Sequence, residues 1–250
     1  MKNVLRLFVC LFISVPFFFS VFGNSDNLCS KSIIKFVRPQ EIISLIKKYL
    51  PINPVILEAG AYDGTDTVFL ADYFGPHCKV YSFEPVPYLY DIAKKNTHKN
   101  PNIFLYNLAL ADSCETKPFY LSNLGNNPTT TASSSLLKPK KHLTYCPGIY
   151  FTSQINVQCT TIDQWSYNNN VEKIDFLWLD LQGSELDVMK ASPNILKNVK
   201  VILTEIEFVE AYEGQALYQE VKKWLEDQGF TLIALNDVPR WFGDALFIRN

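Results

Sequence analysis

The 250-residue sequence predicts an α/β fold, a mostly parallel Rossmann-like sheet between two helical layers. Three observations predict it. Short apolar runs alternate with stretches of helical periodicity over residues 55–248. Four of those runs end in an acid, at Glu58, Glu84, Asp180 and Glu205. The first crossover carries Gly60 and Gly64, where a strand must turn sharply into a helix.

The elements follow in order. After Pro39, the residues Ile42, Leu45, Ile46 and Tyr49 share one helical face, and Pro51 and Pro54 stop that helix. Residues 55–59 read as the first strand and 65–73 as a helix. Residues 79–83 are the second strand, and 87–96 a helix with Leu89, Ile92 and Ala93 turned inward. Residues 103–108 form the third strand. Residues 174–180 form the fourth, as uniformly apolar as a strand covered on both faces should be. A helix over 185–191 leads to the fifth strand at 200–205. Leu217, Val221, Trp224 and Leu225 mark an amphipathic helix that Gly229 ends. Residues 231–235 and 245–248 supply the last two strands. Between Asp112 and Asp163 the rhythm breaks. That stretch is rich in Asn, Thr and Ser, followed by Lys138, Lys140, Lys141 and His142, and reads as a substrate lid or a surface excursion. A histidine in such a loop is expected at the surface.

Composition bounds the function. With 48% hydrophobic residues, the chain suffices for one domain with a real core, placed at residues 51–250, plus an N-terminal appendage. Residues 24–50 read as a linker and a helix. No internal repeat is visible, which excludes solenoids and propellers. A net charge of −2 argues against a nucleic-acid surface, which would want a basic face. In residues 1–23, Lys2 and Arg6 precede an apolar run, as in a secretory signal peptide, cleaved or kept as an anchor. The expected location is the secretory pathway, with membrane association through residues 4–22. The six cysteines form no CxxC pair, so no metal site is expected, and both disulfides and free thiols stay open.

The crossover reads Glu58-Ala59-Gly60-Ala61-Tyr62-Asp63-Gly64-Thr65. Its glycine spacing differs from that of dinucleotide binders. Asp63 would repel a phosphate but hold an ammonium. S-adenosylmethionine, with an ammonium and a sulfonium and no phosphate, suits this loop better than NAD does. Glu84 follows at the end of the next strand, where a carboxylate either takes both ribose hydroxyls or caps a helix.

These residues resemble the FkbM family of S-adenosylmethionine-dependent methyltransferases over about residues 55–250. The segments that carry the resemblance are ILEAGAYDGTDT, VYSFEPVPYLYDIAKKN, LYNLALADS, SSSLL, TTIDQW, IDFLWLDLQGSELDVMKAS and DALFIRN. The resemblance implies a class I methyltransferase sandwich whose seven-stranded, mostly parallel sheet has its last strand antiparallel. It implies methyl transfer, usually to a hydroxyl of a sugar, glycan or small metabolite. Glu58, Gly60, Ala61, Asp63 and Gly64 match the first cofactor loop, and Glu84 and Pro85 the ribose motif. Asn107, Leu108 and Ala109 match the segment near the adenine. Asp180 and Glu185 match the fourth-strand motif, where Trp178 and Gln182 replace a lysine and a glutamate of its familiar form. Asp180 is then the first candidate for a base that accepts the hydroxyl proton, or an acid that only positions the cofactor or a loop; Glu205 is the second. A non-catalytic binding module on the same fold is the alternative.

Overall fold

The computed structural model describes residues 33–35, 39–125, 131–238 and 241–250. The signal-like segment of residues 1–23 lies outside them. Strand β1 (Ile34–Lys35) and helix α1 (Pro39–Ile46) come first, and a 3-10 turn, Lys47–Tyr49, follows. Then come β2 (Val55–Ala59), α2 (Thr65–Phe74), β3 (Lys79–Phe83), α3 (Pro87–Thr97), β4 (Ile103–Tyr106) and β5 (Ala109–Leu110). An insert holds β6 (Thr116–Leu124), α4 (His142–Tyr145) and β7 (Ile149–Thr160). The chain closes with α5 (Ile162–Asn168), β8 (Phe176–Leu179), α6 (Glu185–Lys190), α7 (Pro193–Leu196), β9 (Val201–Glu207), α8 (Tyr218–Asp227), β10 (Phe230–Val238) and β11 (Phe242–Arg249).

The main sheet runs β4-β3-β2-β8-β9-β11-β10-β1. From β4 to β9 every pair is parallel, and β11 runs antiparallel to both β9 and β10. The seven expected strands and the antiparallel last strand are present. β1 adds a two-residue edge, inside the stretch read as linker. The chain steps outward from β2 to β4 and then returns to β8. The strand order therefore reverses between β2 and β8, and open parallel sheets bind ligands beyond the carboxyl ends at such a point. Strand periodicity splits the core in two. Leu57, Leu177, Leu179 and Ile202 pack on one face with Trp165 and Leu225. Ile56, Phe176, Trp178 and Leu203 pack on the other with Ile42 and Leu70.

Local chemistry sets the element ends. Pro87 opens α3, where a missing N–H costs nothing. Thr161 caps α5 by accepting the Gln164 N–H at 3.1 Å. Gly229, at φ +85°, follows α8. Two expected inward residues turn out. Ile92 is 39% exposed, because the buried face of α3 is Leu89, Ala93 and Thr97, spaced by four. Tyr49 is exposed because the helix tightens to 3-10 geometry after Ile46 and carries it off the shared face.

The insert is the largest departure from expectation. It is not a long loop: β6 and β7 form an antiparallel hairpin, and β5 pairs parallel with β7. Most β7 side chains between Tyr150 and Ile155 face solvent, so the strand lacks an apolar signal. Cys78, Cys114, Cys146 and Cys159 are free thiols. Among the described residues, no helix is long and apolar enough to cross a membrane.

Candidate active site

The first loop is built by close backbone contact. Gly60 and Ala61 N–H both donate to the Phe83 carbonyl, at 3.1 and 3.0 Å, and Asp180 N–H donates to the Ala59 carbonyl at 3.0 Å. Gly60 sits at φ +95°, and a Cβ there would lie 2.2 Å from the Asp180 carbonyl oxygen. Only glycine lets the loop after β2 lie this close to the end of β8. At Gly64, φ +79°, a Cβ would press on Ala93 and Thr97 of α3. Ala61 is buried. The Asp63 carboxylate accepts the Thr65 N–H at 3.0 Å, at the start of α2. Glu58 lies beneath the loop, buried, accepting hydroxyl protons from Thr67 at 2.5 Å and Ser82 at 2.7 Å. These bonds brace α2 against β3.

Glu84 stands where β3 ends. Its Oε2 accepts the Tyr62 N–H and its Oε1 the Val86 N–H, each at 2.8 Å. Burial pushes its carboxyl up to about 8; the two N–H groups oppose the rise and the Glu58 charge adds to it. Pro85, half-buried, turns the chain toward α3. The Asn107 amide donates to the carbonyls of Glu84 and Pro85, at 2.9 and 3.0 Å, and so clamps the backbone behind the acid. Leu108 is half-buried beside it, and Ala109 packs with Val86 and Leu89.

A second group of acids lines the neighbouring rim. Asp180 follows β8. Glu205 and Glu207 lie two apart on β9, hence on one face, and Asp244 of β11 is the register partner of Glu205. Glu185 accepts the Leu181 N–H at 2.7 Å and the Gly183 N–H at 3.0 Å, holding the turn after Asp180. Burial raises the Glu185 carboxyl to about 8 and Asp244 to about 7. Burial, then the charges of Asp180, Glu207, Glu185 and Asp244, push Glu205 well up, and burial does the same to Glu207. The Gln182 amide joins Asp180 Oδ1 at 2.9 Å to Glu205 Oε2 at 2.6 Å. The single hydrogen of the Tyr212 hydroxyl is within reach of both the Ser133 carbonyl at 2.7 Å and Gln182 Oε1 at 3.0 Å.

The two candidate acids thus share one amide, and the loop after β2 touches the first of them. Sequence reasoning missed Glu207, Asp244 and Tyr212. An acid at the beginning of an antiparallel strand reaches the same rim as acids at the ends of parallel ones, a signal that could have found Asp244. Tyr212 sits in a loop without periodicity. His142 corrects the expectation of a surface position. It is 5% exposed, packed between the rings of Phe151 and Tyr212, and burial pushes its imidazole down to about 4. It is buried because the N–H groups of Lys140, Lys141 and His142 all donate to the Ala211 carbonyl, tying the insert to the loop after β9. Among the described residues, no group of three or more His, Cys, Asp or Glu side chains is placed so that it could hold a metal ion.

The methyltransferase FkbM domain matches residues 58–232. The chain is 30% identical over 212 residues to the 2-O-methyltransferase NoeI of Sinorhizobium fredii, covering 84% of each chain. It is 26% identical over 223 residues to the methyltransferase sdnD of Sordaria araneosa, covering 78% of this chain and 80% of that one. Among solved structures, the methyltransferase FkbM of Methylobacillus flagellatus superposes with a TM-score of 0.51 at 12% identity over 85% of this chain. The chain spans 48% of that protein, and at 12% identity the likeness speaks to the fold alone. With a match across most of its length, a class I sheet and a relative at 30% identity, the chain belongs to the methyltransferase FkbM family and is a methyltransferase.

Proposed function

We propose that the protein transfers a methyl group from S-adenosylmethionine to a hydroxyl of a sugar, glycan or small polyhydroxylated metabolite. The observation that supports this reading is the contact of the Gly60 loop with Asp180, which brings the loop proposed to hold the cofactor beside a rim of carboxyls. The residues present fit the cofactor. Gly60 lets the loop after β2 lie against the Asp180 backbone at the switch point, and Glu84 can accept hydrogen bonds from vicinal hydroxyls. Gly60, Ala61, Asp63 and Gly64 would line the amino-acid end, Glu84 and Pro85 the ribose, and Asn107, Leu108 and Ala109 the adenine. Glu58 would support them from below. When bound, S-adenosylmethionine supplies an electrophilic methyl group on a positively charged sulfur.

The chain's own task is alignment and proton removal. Asp180, or Glu205 beside it, accepts the proton that the acceptor hydroxyl loses. A rim of acids favours acceptors rich in hydroxyls, each able to donate to a carboxylate, over anionic ones. The curated relative named as a 2-O-methyltransferase supports an oxygen acceptor. The test is transfer of a radiolabelled methyl group from S-adenosylmethionine to a panel of methyl glycosides, oligosaccharides and small alcohols. Labelled glycoside is the expected product; label reaching only nitrogen or carbon acceptors overturns the reading. We also propose, from Lys2, Arg6 and the apolar run after them, that the domain is exported or membrane-anchored; N-terminal sequencing of the native protein and fractionation test this.

A further inference from the structure

Gln182 stands where the elements around the acids cross. It is a non-glycine residue at φ +56°, in the turn after β8. That conformation costs a side-chain-bearing residue roughly 1 kcal/mol, and such strain persists where surrounding bonds hold it. Here they do. Its carbonyl accepts the Ser135 hydroxyl proton at 2.8 Å, from the insert. Its amide nitrogen gives one hydrogen to Asp180 and the other to Glu205, at 2.9 and 2.6 Å. Its amide oxygen faces the Tyr212 hydroxyl at 3.0 Å.

The amide orientation follows from its partners. Exchanging its nitrogen and oxygen would set a carbonyl oxygen against two carboxylates whenever both are ionised, as they are when either accepts a hydroxyl proton. Tyr212 is itself fixed. It is 1% exposed, its hydroxyl also reaches the Ser133 carbonyl, and its ring packs on His142 and Phe151. The insert, the loop after β9 and the ends of β8 and β9 therefore meet in one hydrogen-bonded chain.

We propose that Gln182 is a positioning residue of the transfer, its single amide locking the Asp180 and Glu205 carboxyls into one fixed pair, with Tyr212 locking the amide. This rests on reading those two acids as the groups that accept the hydroxyl proton. The reason for an amide is electrostatic. Glu185 from α6, Glu207 from β9 and Asp244 from β11 face the same pair, and all disfavour a further negative charge. Tyr212, His142 and Cys146 border the chain on the insert side. Two N–H donations stabilise the ionised carboxylates without adding charge. A glutamate at 182 would put a third carboxyl oxygen in contact with the other two, and one of the three would have to hold a proton.

The test follows the carboxyl carbons of 13C-labelled protein through a pH titration, with Asp180→Asn and Glu205→Gln assigning the resonances. Gln182→Leu is expected to raise the midpoints of Asp180 and Glu205 by roughly half a unit or more, as loss of donors to the charged form requires. Tyr212→Phe moves them the same way by less, and Glu84 keeps its midpoint in both. Should Gln182→Leu fail to fold, Tyr212→Phe and the shorter Gln182→Asn carry the test. Midpoints unchanged to within about 0.2 unit in the folded variants overturn the proposal. The titration needs no acceptor. Its failure is thus distinct from a failure of methyl transfer to the glycosides, which would count against the acceptor reading.

Discussion

Binding of S-adenosylmethionine is expected to tighten as pH rises through the value set by Glu84. Burial holds that carboxyl up to about 8 in the free protein. Ribose hydroxyls donate hydrogen bonds, so they favour the ionised form. If binding requires that form, the fraction competent at pH 7 is about one tenth, and the apparent Kd falls about tenfold between pH 7 and pH 9. By linkage, binding near pH 7 releases close to one proton. Calorimetric titrations from pH 6 to 9, in buffers of different ionisation enthalpy, read both quantities. Glu185 and Asp244 titrate in the same window, so a variant must isolate Glu84. Glu84→Gln keeps the size, loses the charge, and also loses an acceptor for the Val86 or Tyr62 N–H. Its Kd should be at least about tenfold weaker at pH 9, from one lost charge-assisted bond, and nearly flat with pH. The reasoning is refuted if the parent binds equally at pH 6 and pH 9, or if Glu84→Gln keeps the parent's slope.

Three further perturbations read other parts of the structure. Gly60→Ala puts a Cβ 2.2 Å from the Asp180 carbonyl at φ +95°, so the strands must part. A loss of about 3 kcal/mol is expected, together with S-adenosylmethionine binding weakened beyond tenfold, checked by denaturant melts and calorimetry. Trp165→Ala removes edge-on contacts to Tyr81, Phe83 and Tyr106 at 5.0–5.3 Å and should cost about 3–5 kcal/mol, read as a Tm lower by roughly 10 °C. His142, held down to about 4, binds its proton more weakly folded than unfolded. Stability should therefore fall by about 3 kcal/mol as pH drops from 6.5 to 4, an acid sensitivity that His142→Phe removes in urea melts at both pH values.

The fold was legible where burial is two-sided and local. β2, β3, β8 and β9 are buried on both faces, so their apolar runs mark them within a residue or two, and the first three need only a short crossover to the next helix. β6 and β7 were not, because a strand with one face in water carries polar residues on that face, and much of β7 does so without regular alternation. Likewise, the glycines at 60 and 64 could be read because their reason is a backbone one. Each position needs φ above zero and has a neighbour inside the space of a Cβ.

The candidate site divides along the same line. Acids at parallel strand ends share a rim by topology alone, so Glu84, Asp180 and Glu205 could be placed before any distance was known. What ties the last two together could not. Gln182 reads in the sequence as the loss of a charge from a familiar motif. In the structure that neutral side chain faces Asp180, Glu205 and Tyr212 at once, across loops separated by 23 and 30 residues in the chain. An amide is the one uncharged side-chain group that offers two hydrogens to two carboxyls while accepting a third hydrogen bond on its oxygen. The replacement of glutamate by glutamine is thus a change in how many protons the acid rim must hold. Gln182→Glu should show it directly, by taking up about one more proton near neutral pH than the parent does, measured by potentiometric titration of the two folded proteins.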